Sequence, residues 1–333
     1  MTVVDRPTPI EVLEADMASS LSSSDGAKVD LGFRGLAVGA GLMVLAILAA
    51  ITVVTTRKAW PAFTTYGTDY WFSTNWQPNK QDFGILGFIW GTAVISFIGI
   101  LLAVPTSIGI ALFATEVAPR RLRRSITTVM DLLASVPSVV FGLVGFYVLK
   151  TPLQTFYRWL GDAVAGVPVL HTIFGQDSSG LALLTAGIVL AIMIMPIITS
   201  VTREVFDTVP RNDKEGALAL GATRFEMITG VVMPHSLGGL TGAVMLGLGR
   251  AMGETIAVTL LIGASSKPPI TVDVLSASDA MPAGIARYLP EASGMFQSAL
   301  IGMGVTLFVL TMIINIGSRR IVGVMDRRLK GAS

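Results

Sequence analysis

The stretch 203–234, "REVFDTVPRNDKEGALALGATRFEMITGVVMP", separates two long apolar runs, and its pattern is not that of an ordinary hydrophilic connector. Asn212 or Asp213 is placed to cap a helix, and Ala217, Leu218, Leu220 and Ala222 give that helix a small apolar face. Gly221 ends or bends it, and Pro234 marks the turn into the next apolar run. The reading is a short helix lying across one surface of the protein. Periodicity alone leaves two roles open for it: a linker packed on its own bundle, or a docking element for a partner.

Composition says what that surface belongs to. The 333 residues are 52% hydrophobic and only 14% charged, and the mean hydropathy is +0.69. That balance is far from a water-soluble domain's. A bilayer core about 30 Å thick takes roughly 20 apolar residues in a helix, because lipid offers no partner to free backbone groups. Six segments meet the requirement: 35–54, 83–114, 125–149, 180–202, 236–264 and 294–317. The second is too long for one straight span, so Pro105 kinks or divides it. The expected fold is an all-α transmembrane bundle of six helices.

The connecting segments alternate between two sets. One, which includes both termini, the "APRRLRR" loop and 203–235, holds 16 Lys and Arg against 7 in the other. The excess assigns the first set, and both termini, to the cytoplasm of a multi-pass cell-membrane protein. Trp60, Tyr66, Tyr70, Trp71 and Trp76 crowd the first outer loop as interfacial rings would. Residues 1–30 are Ser-rich and poor in aromatics, which reads as a disordered cytoplasmic tail before a 31–320 membrane domain. Residues 321–333 form a second tail. The basic cluster Arg120, Arg121, Arg123 and Arg124 reads as a topology and lipid-headgroup feature, with Asp131 capping a helix or pairing with it.

Within 236–264 lies "GLGRAMGET", which puts Arg250 fourteen residues from either end of the run. A charge near the midplane costs at least about 2.5–3.5 kcal/mol, and an arginine cannot escape it by losing a proton. Spacing of i, i+4 offers Glu254 as an internal partner. Against that pairing as the whole explanation stand Gly238, Gly242, Gly249 and Gly253, which would let a neighbouring helix come close and turn the charged face inward. A guanidinium presents a planar fork of donors suited to phosphate or sulfate. Glu254 then either holds the guanidinium or accepts a hydrogen bond from a protonated oxyanion, and the residues leave both open. Ser138, after Pro137, is a weaker candidate for the same path.

Absences narrow the function. There is no cysteine, and His171 and His235 have no ligand neighbours at useful spacing, so no metal site is expected. No G-x-x-x-x-G-K-[ST] loop is present, so any ATP chemistry is expected elsewhere. No arrangement for nucleophilic or acid–base catalysis stands out, so no catalytic residues are named and the chain is not expected to be an enzyme. Nothing points to a nucleic acid.

Two resemblances sharpen this. Glu215-Gly216-Ala217, three residues, Gly221, nine residues, Val231, one residue and Met233-Pro234 resembles the EAA loop of ATP-binding-cassette importer permeases, departing only at Gly216, Val231 and Met233. More widely, "FGILGFIWGT" (83–92), "AVPTSIGIALFATEVAPRRLRR" (103–124), "DLLASVPSVVFGL" (131–143), "ALALGATRFEMITGVVMP" (217–234) and "GLGRAMGETIAV" (247–258) resemble the PstC-type permease subunit of phosphate importers. The resemblance implies the type I importer-permease fold and a helix at 211–224 that docks on an ATPase, with Arg211, Glu215, Ala217 and Gly221 in that contact. It implies Arg250 and Glu254 on the substrate path. The implied partners are a homologous PstA-type permease, two ATP-binding-cassette ATPase subunits carrying ATP-Mg, an extracytoplasmic phosphate-binding protein and membrane lipid. Other classes stay open: the PstA-type subunit itself, a sulfate or molybdate permease, an ion-coupled anion carrier or channel with Glu254 as its proton site, or a scaffold subunit with no conduit.

Overall fold

The computed structural model describes Ile10 and residues 24–175, 179–265 and 268–330, with backbone alone at 24–29 and 321–330. Apart from Ile10 and the residues from Ser24 on, the expected N-terminal tail lies outside the described residues, as do 331–333. The chain divides into two units, Met1–Thr55 and Thr56–Ser333. In the first, the described residues are Ile10 and the leading portion of α1 (Ser24–Tyr66), whose apolar side chains from Leu31 to Val54 are exposed. Among the described residues six helices are long and apolar enough to cross a membrane, the number expected from the sequence.

The second unit is built on α2 (Leu86–Val117), α5 (Leu183–Asp207) and α7 (Arg224–Gly253), with α3 (Arg120–Ser135), α4 (Ser138–Val164) and α6 (Arg211–Ala219) between them. The axis of the core is α5, whose Leu183, Ala186, Val189, Leu190, Ile194 and Ile198 are all but fully buried. Ile95, Ala103, Ala243 and Ala251 join that cluster from α2 and α7. Pro105 does not divide α2, which is helical from Leu86 and ends in a π-type turn at Phe113–Val117. Neighbouring helices and hydroxyls re-satisfy a backbone interrupted by proline inside a bundle.

Two expected spans are corrected. The run 125–149 is broken at Val136-Pro137, because a residue before proline is driven out of the helical region and Val136 is extended, with ψ 127°. The spanning helix is α4, which starts after the break. Before it, α3 is a separate amphipathic helix that carries the arginine cluster. On it Arg123 pairs with Asp207 at 2.6 Å, while Asp131 is exposed and neither caps nor pairs with a described residue. The run 236–264 is also broken: α7 stops at Gly253, Glu254 is extended (ψ 123°), and α8 (Ile256–Leu261) restarts the helix. Arg250 therefore stands in the last turn of α7 rather than at the centre of one span.

The two ends of α2 identify the two ends of the bundle. Ala111, near one end, shares a cluster with Phe206, Val209, Met227 and Val232. Phe88, near the other, shares one with Tyr70, Trp76, Phe83 and Met281. The second end is closed by a two-residue hairpin pairing Trp76 with Phe83 and by α9 (Met281–Tyr288). Tyr70 and Trp76, expected at a lipid interface, are buried there, and Tyr70 donates to the Ala299 carbonyl at 2.6 Å. The chain folds back over these rings, which composition alone does not reveal. Trp60 remains exposed. Added Cβ atoms at Gly87 and Gly91 would collide with the carbonyls of Pro268 and Asp279, so these glycines let the 268–280 segment lie directly on α2.

Asp279 is buried there, accepts the Ala280 amide at 2.9 Å and pairs with Arg287. Burial raises its pKa from 3.8 to about 6, against the lowering pull of Arg287 and of that amide. The folded state thus holds this proton more tightly than the unfolded chain does. Its contribution to stability grows as pH falls through about 6 and levels off below the ordinary value of 3.8. In thermal melts, wild type is expected to gain on Asp279→Asn as pH drops from 7 toward 4. A difference that is flat or grows in the other direction would contradict this.

Candidate functional site

The stretch of α7 from Gly238 to Arg250, with Asn315 and Arg319 of α10 (Gly294–Lys330), faces a common cleft of about 930 Å³. Its polar lining is Thr241, Arg250, Asn315 and Arg319, set among Ile197, Met245 and Leu246. No carboxylate is among these residues. Gly238, Gly242 and Gly249 form one wall, and an added Cβ at any of them, or at Gly253, would meet nothing within 4 Å. These glycines are thus not filled by a helix of this chain; they leave a shallow open face on α7. Arg250 is exposed on the cleft and makes no hydrogen bond or ion pair among the described residues.

Arg250 and Glu254 are not brought together. The break after Gly253 turns Glu254 off the α7 face, so the i, i+4 relation no longer holds. Its side chain is buried at 8% exposure and accepts the Ala257 amide at 3.4 Å, serving the restart at α8. It shares a small void of about 10 Å³ with Thr92, Ser96, Ala280 and Pro282. Such a void is at the threshold for one water molecule. Ser138 opens α4 just past the Pro137 break, half-buried, and does not line the Arg250 cleft.

The second candidate element is α6. It starts at Arg211 behind Pro210, with no side-chain cap, so neither Asn212 nor Asp213 caps it as the sequence suggested. It ends as expected at Gly221. That residue takes φ +89°, its amide donates to the Leu218 carbonyl, and the Ala222 amide donates to Ala217 at 3.1 Å. Those two bonds form a Schellman motif, and a residue with a Cβ is strained at this φ. The faces of α6 are sorted by side chain. Ala217 is half-buried against the Phe206, Val209 and Met227 cluster, while Arg211, Glu215 and Leu218 point outward, and Leu220 beyond them is 91% exposed.

Sequence reasoning passed over the residue that fixes α6 in place. Lys214 reaches Glu116, in the π-type turn of α2, at 2.6 Å, and donates to the Phe206 carbonyl at 3.2 Å. Both side chains are largely shielded, 17% and 8% exposed. No local signal pairs residues so far apart in the chain. Asn315 and Arg319 were also missed as cleft residues. The i, i+4 spacing was visible, but a basic residue at a span's end reads first as a sidedness signal.

Comparison with known proteins agrees with this architecture. The family described as binding-protein-dependent transport system inner membrane component matches residues 103–331. A phosphate transport system permease protein PstC of Mesorhizobium japonicum is 40% identical over 304 residues, 91% of this chain and 92% of that protein. One of Haemophilus influenzae is 40% identical over 287 residues, 86% and 90% of the two chains. Among solved structures, a bacterial ABC transporter involved in the import of the acidic polysaccharide alginate superposes with TM-score 0.54 at 19% identity, over 91% of this chain and 98% of that one. That likeness concerns the fold, which is the type I importer-permease fold. The chain belongs to the binding-protein-dependent transport system inner membrane components, and among them to the PstC-type permeases.

Proposed function

We propose that this chain forms one half of the path of an ATP-driven importer for inorganic phosphate, with both termini in the cytoplasm. The observation that carries the reading is the guanidinium of Arg250, unpartnered among the described residues, on a cleft whose described lining holds no carboxylate. A fork of donors held away from any internal acid is suited to a travelling oxyanion. The open glycine face of α7 supports a PstA-type permease closing the cleft from the other side. The exposed face of α6, with Arg211 and Glu215, supports docking on one of two ATPase subunits, which supply ATP-Mg. A phosphate-binding protein delivers the anion from outside. Glu254, buried beside the α7–α8 break, does not line the Arg250 cleft.

The test is phosphate uptake by vesicles holding the assembled transporter, with and without the ATPase subunits. Uptake is expected to require them and to stop when ATP is withheld. Uptake that survives their removal and collapses with a proton uncoupler would replace this reading with an ion-coupled carrier.

A further inference from the structure

We propose that Asn315 and Arg319 of α10 form a second oxyanion station in the cleft, between Arg250 and the end of the bundle that carries α6. This inference rests on the phosphate-import reading above.

The depths of the two arginines follow from the clusters at the ends of α2. The first turns of α7 pack at the Ala111 end through Met227 and Val232. The first turns of α10 pack at the Phe88 end through Phe296, Ala299 and Leu300. The two helices therefore run in opposite directions. Arg250, in the last turn of α7, stands toward the Phe88 end, whereas Arg319, far along α10, stands toward α6. On α7 the cleft extends from Gly238 to Arg250, about 18 Å at 1.5 Å per residue. An anion held at one end does not touch the other.

The chemistry of the lining fits an anion at both depths. Neither Asn315 nor Arg319 makes a hydrogen bond or ion pair among the described residues, although both line the cleft. An amide inside an apolar span is costly unless it finds a partner, and its two N–H groups are donors. The Thr241 hydroxyl already donates to the Leu237 carbonyl at 2.8 Å, so it does not compete for the anion. Two guanidiniums with no carboxylate between them repel cations and concentrate anions. Passage also requires more than one site of moderate strength, because a single strong one would retain its cargo.

Arg320 provides the control. It is exposed on the same turn and carries the same charge, but it does not line the cleft. A role for Arg319 only in topology or in holding lipid headgroups would make the two residues equivalent. In the complete reconstituted transporter with labelled inorganic phosphate, Arg319→Gln is expected to slow uptake about tenfold or more, the loss of one charge-assisted bond. Arg320→Gln should leave the rate within about twofold of wild type, and Arg319→Lys should recover part of the loss. Equal losses in R319Q and R320Q overturn the proposal, as does an unaffected R319Q in preparations where Arg250→Ala is inactive. Should Arg250→Ala be active too, the phosphate path itself is what fails. If R319Q does not assemble, Asn315→Asp decides: it adds a negative charge with little change of shape and is expected to block uptake. A wild-type rate in N315D overturns the station.

Discussion

Phosphate uptake is expected to fall at least about a hundredfold when Arg250 becomes alanine, while the subunit still inserts and assembles. The size of the effect follows from losing two charge-assisted hydrogen bonds, each about 1.5–3 kcal/mol. The persistence of assembly follows from what surrounds the side chain. Removing one partner of a buried ion pair strands a charge at a cost of about 3–5 kcal/mol. Arg250 has no such partner among the described residues, and Glu254 is bonded elsewhere. Taking a lone cation out of a membrane helix relieves a cost instead of creating one. Arg250→Lys keeps the charge but loses the planar fork, and should fall between alanine and wild type. Labelled phosphate uptake into vesicles, with assembly followed by size-exclusion chromatography, measures both quantities. Wild-type uptake in R250A, or loss of uptake accompanied by loss of the complex, would remove Arg250 from the path.

Reversing the charge at Glu215 is expected to separate ATP hydrolysis from transport. Glu215 is on the outward face of α6 and makes no hydrogen bond or ion pair among the described residues, so Glu215→Lys should change the fold's stability by no more than about 0.5 kcal/mol. What it alters is the surface offered to the ATPase, where a misplaced like charge costs several kcal/mol. Hydrolysis by the assembled complex should then continue without phosphate accumulation, or the ATPase should dissociate. Coupled transport at the wild-type ratio would remove Glu215 from that contact. The neighbouring position makes the contrast clear. Lys214→Met leaves Glu116 shielded and unpaired, so its damage should appear as lost stability of the chain itself.

The spans were legible because a bilayer requires long apolar runs, and hydropathy counts them directly. Their breaks were not. Val136-Pro137 carried a readable warning, since the residue before a proline avoids the helix, but a sliding count of apolar residues passes over it. Glu254 carried almost none: only Gly249 and Gly253 weaken the helix there, and the residues that surround it, Thr92, Ser96 and Ala280, come from distant parts of the chain. The end of α6 was legible from Gly221 because a left-handed position is a local demand of the backbone. Its start was not, because Pro210 took the place that Asn212 or Asp213 could have filled. Of the cleft, Arg250 was legible as a charge out of place. Asn315 and Arg319 acquire meaning only when α10 is laid antiparallel to α7, which no single stretch of sequence encodes.

The ion pair between Lys214 and Glu116 has a mechanical corollary. It fastens the surface helix to the foot of α2, which from Leu86 to Leu112 is an unbroken rod about 40 Å long. At the head of that rod, Gly87 and Gly91 seat the 268–280 segment directly on its backbone. A shove delivered beneath the bundle therefore has one stiff strut to travel along, and it arrives under the crossover that roofs the opposite side.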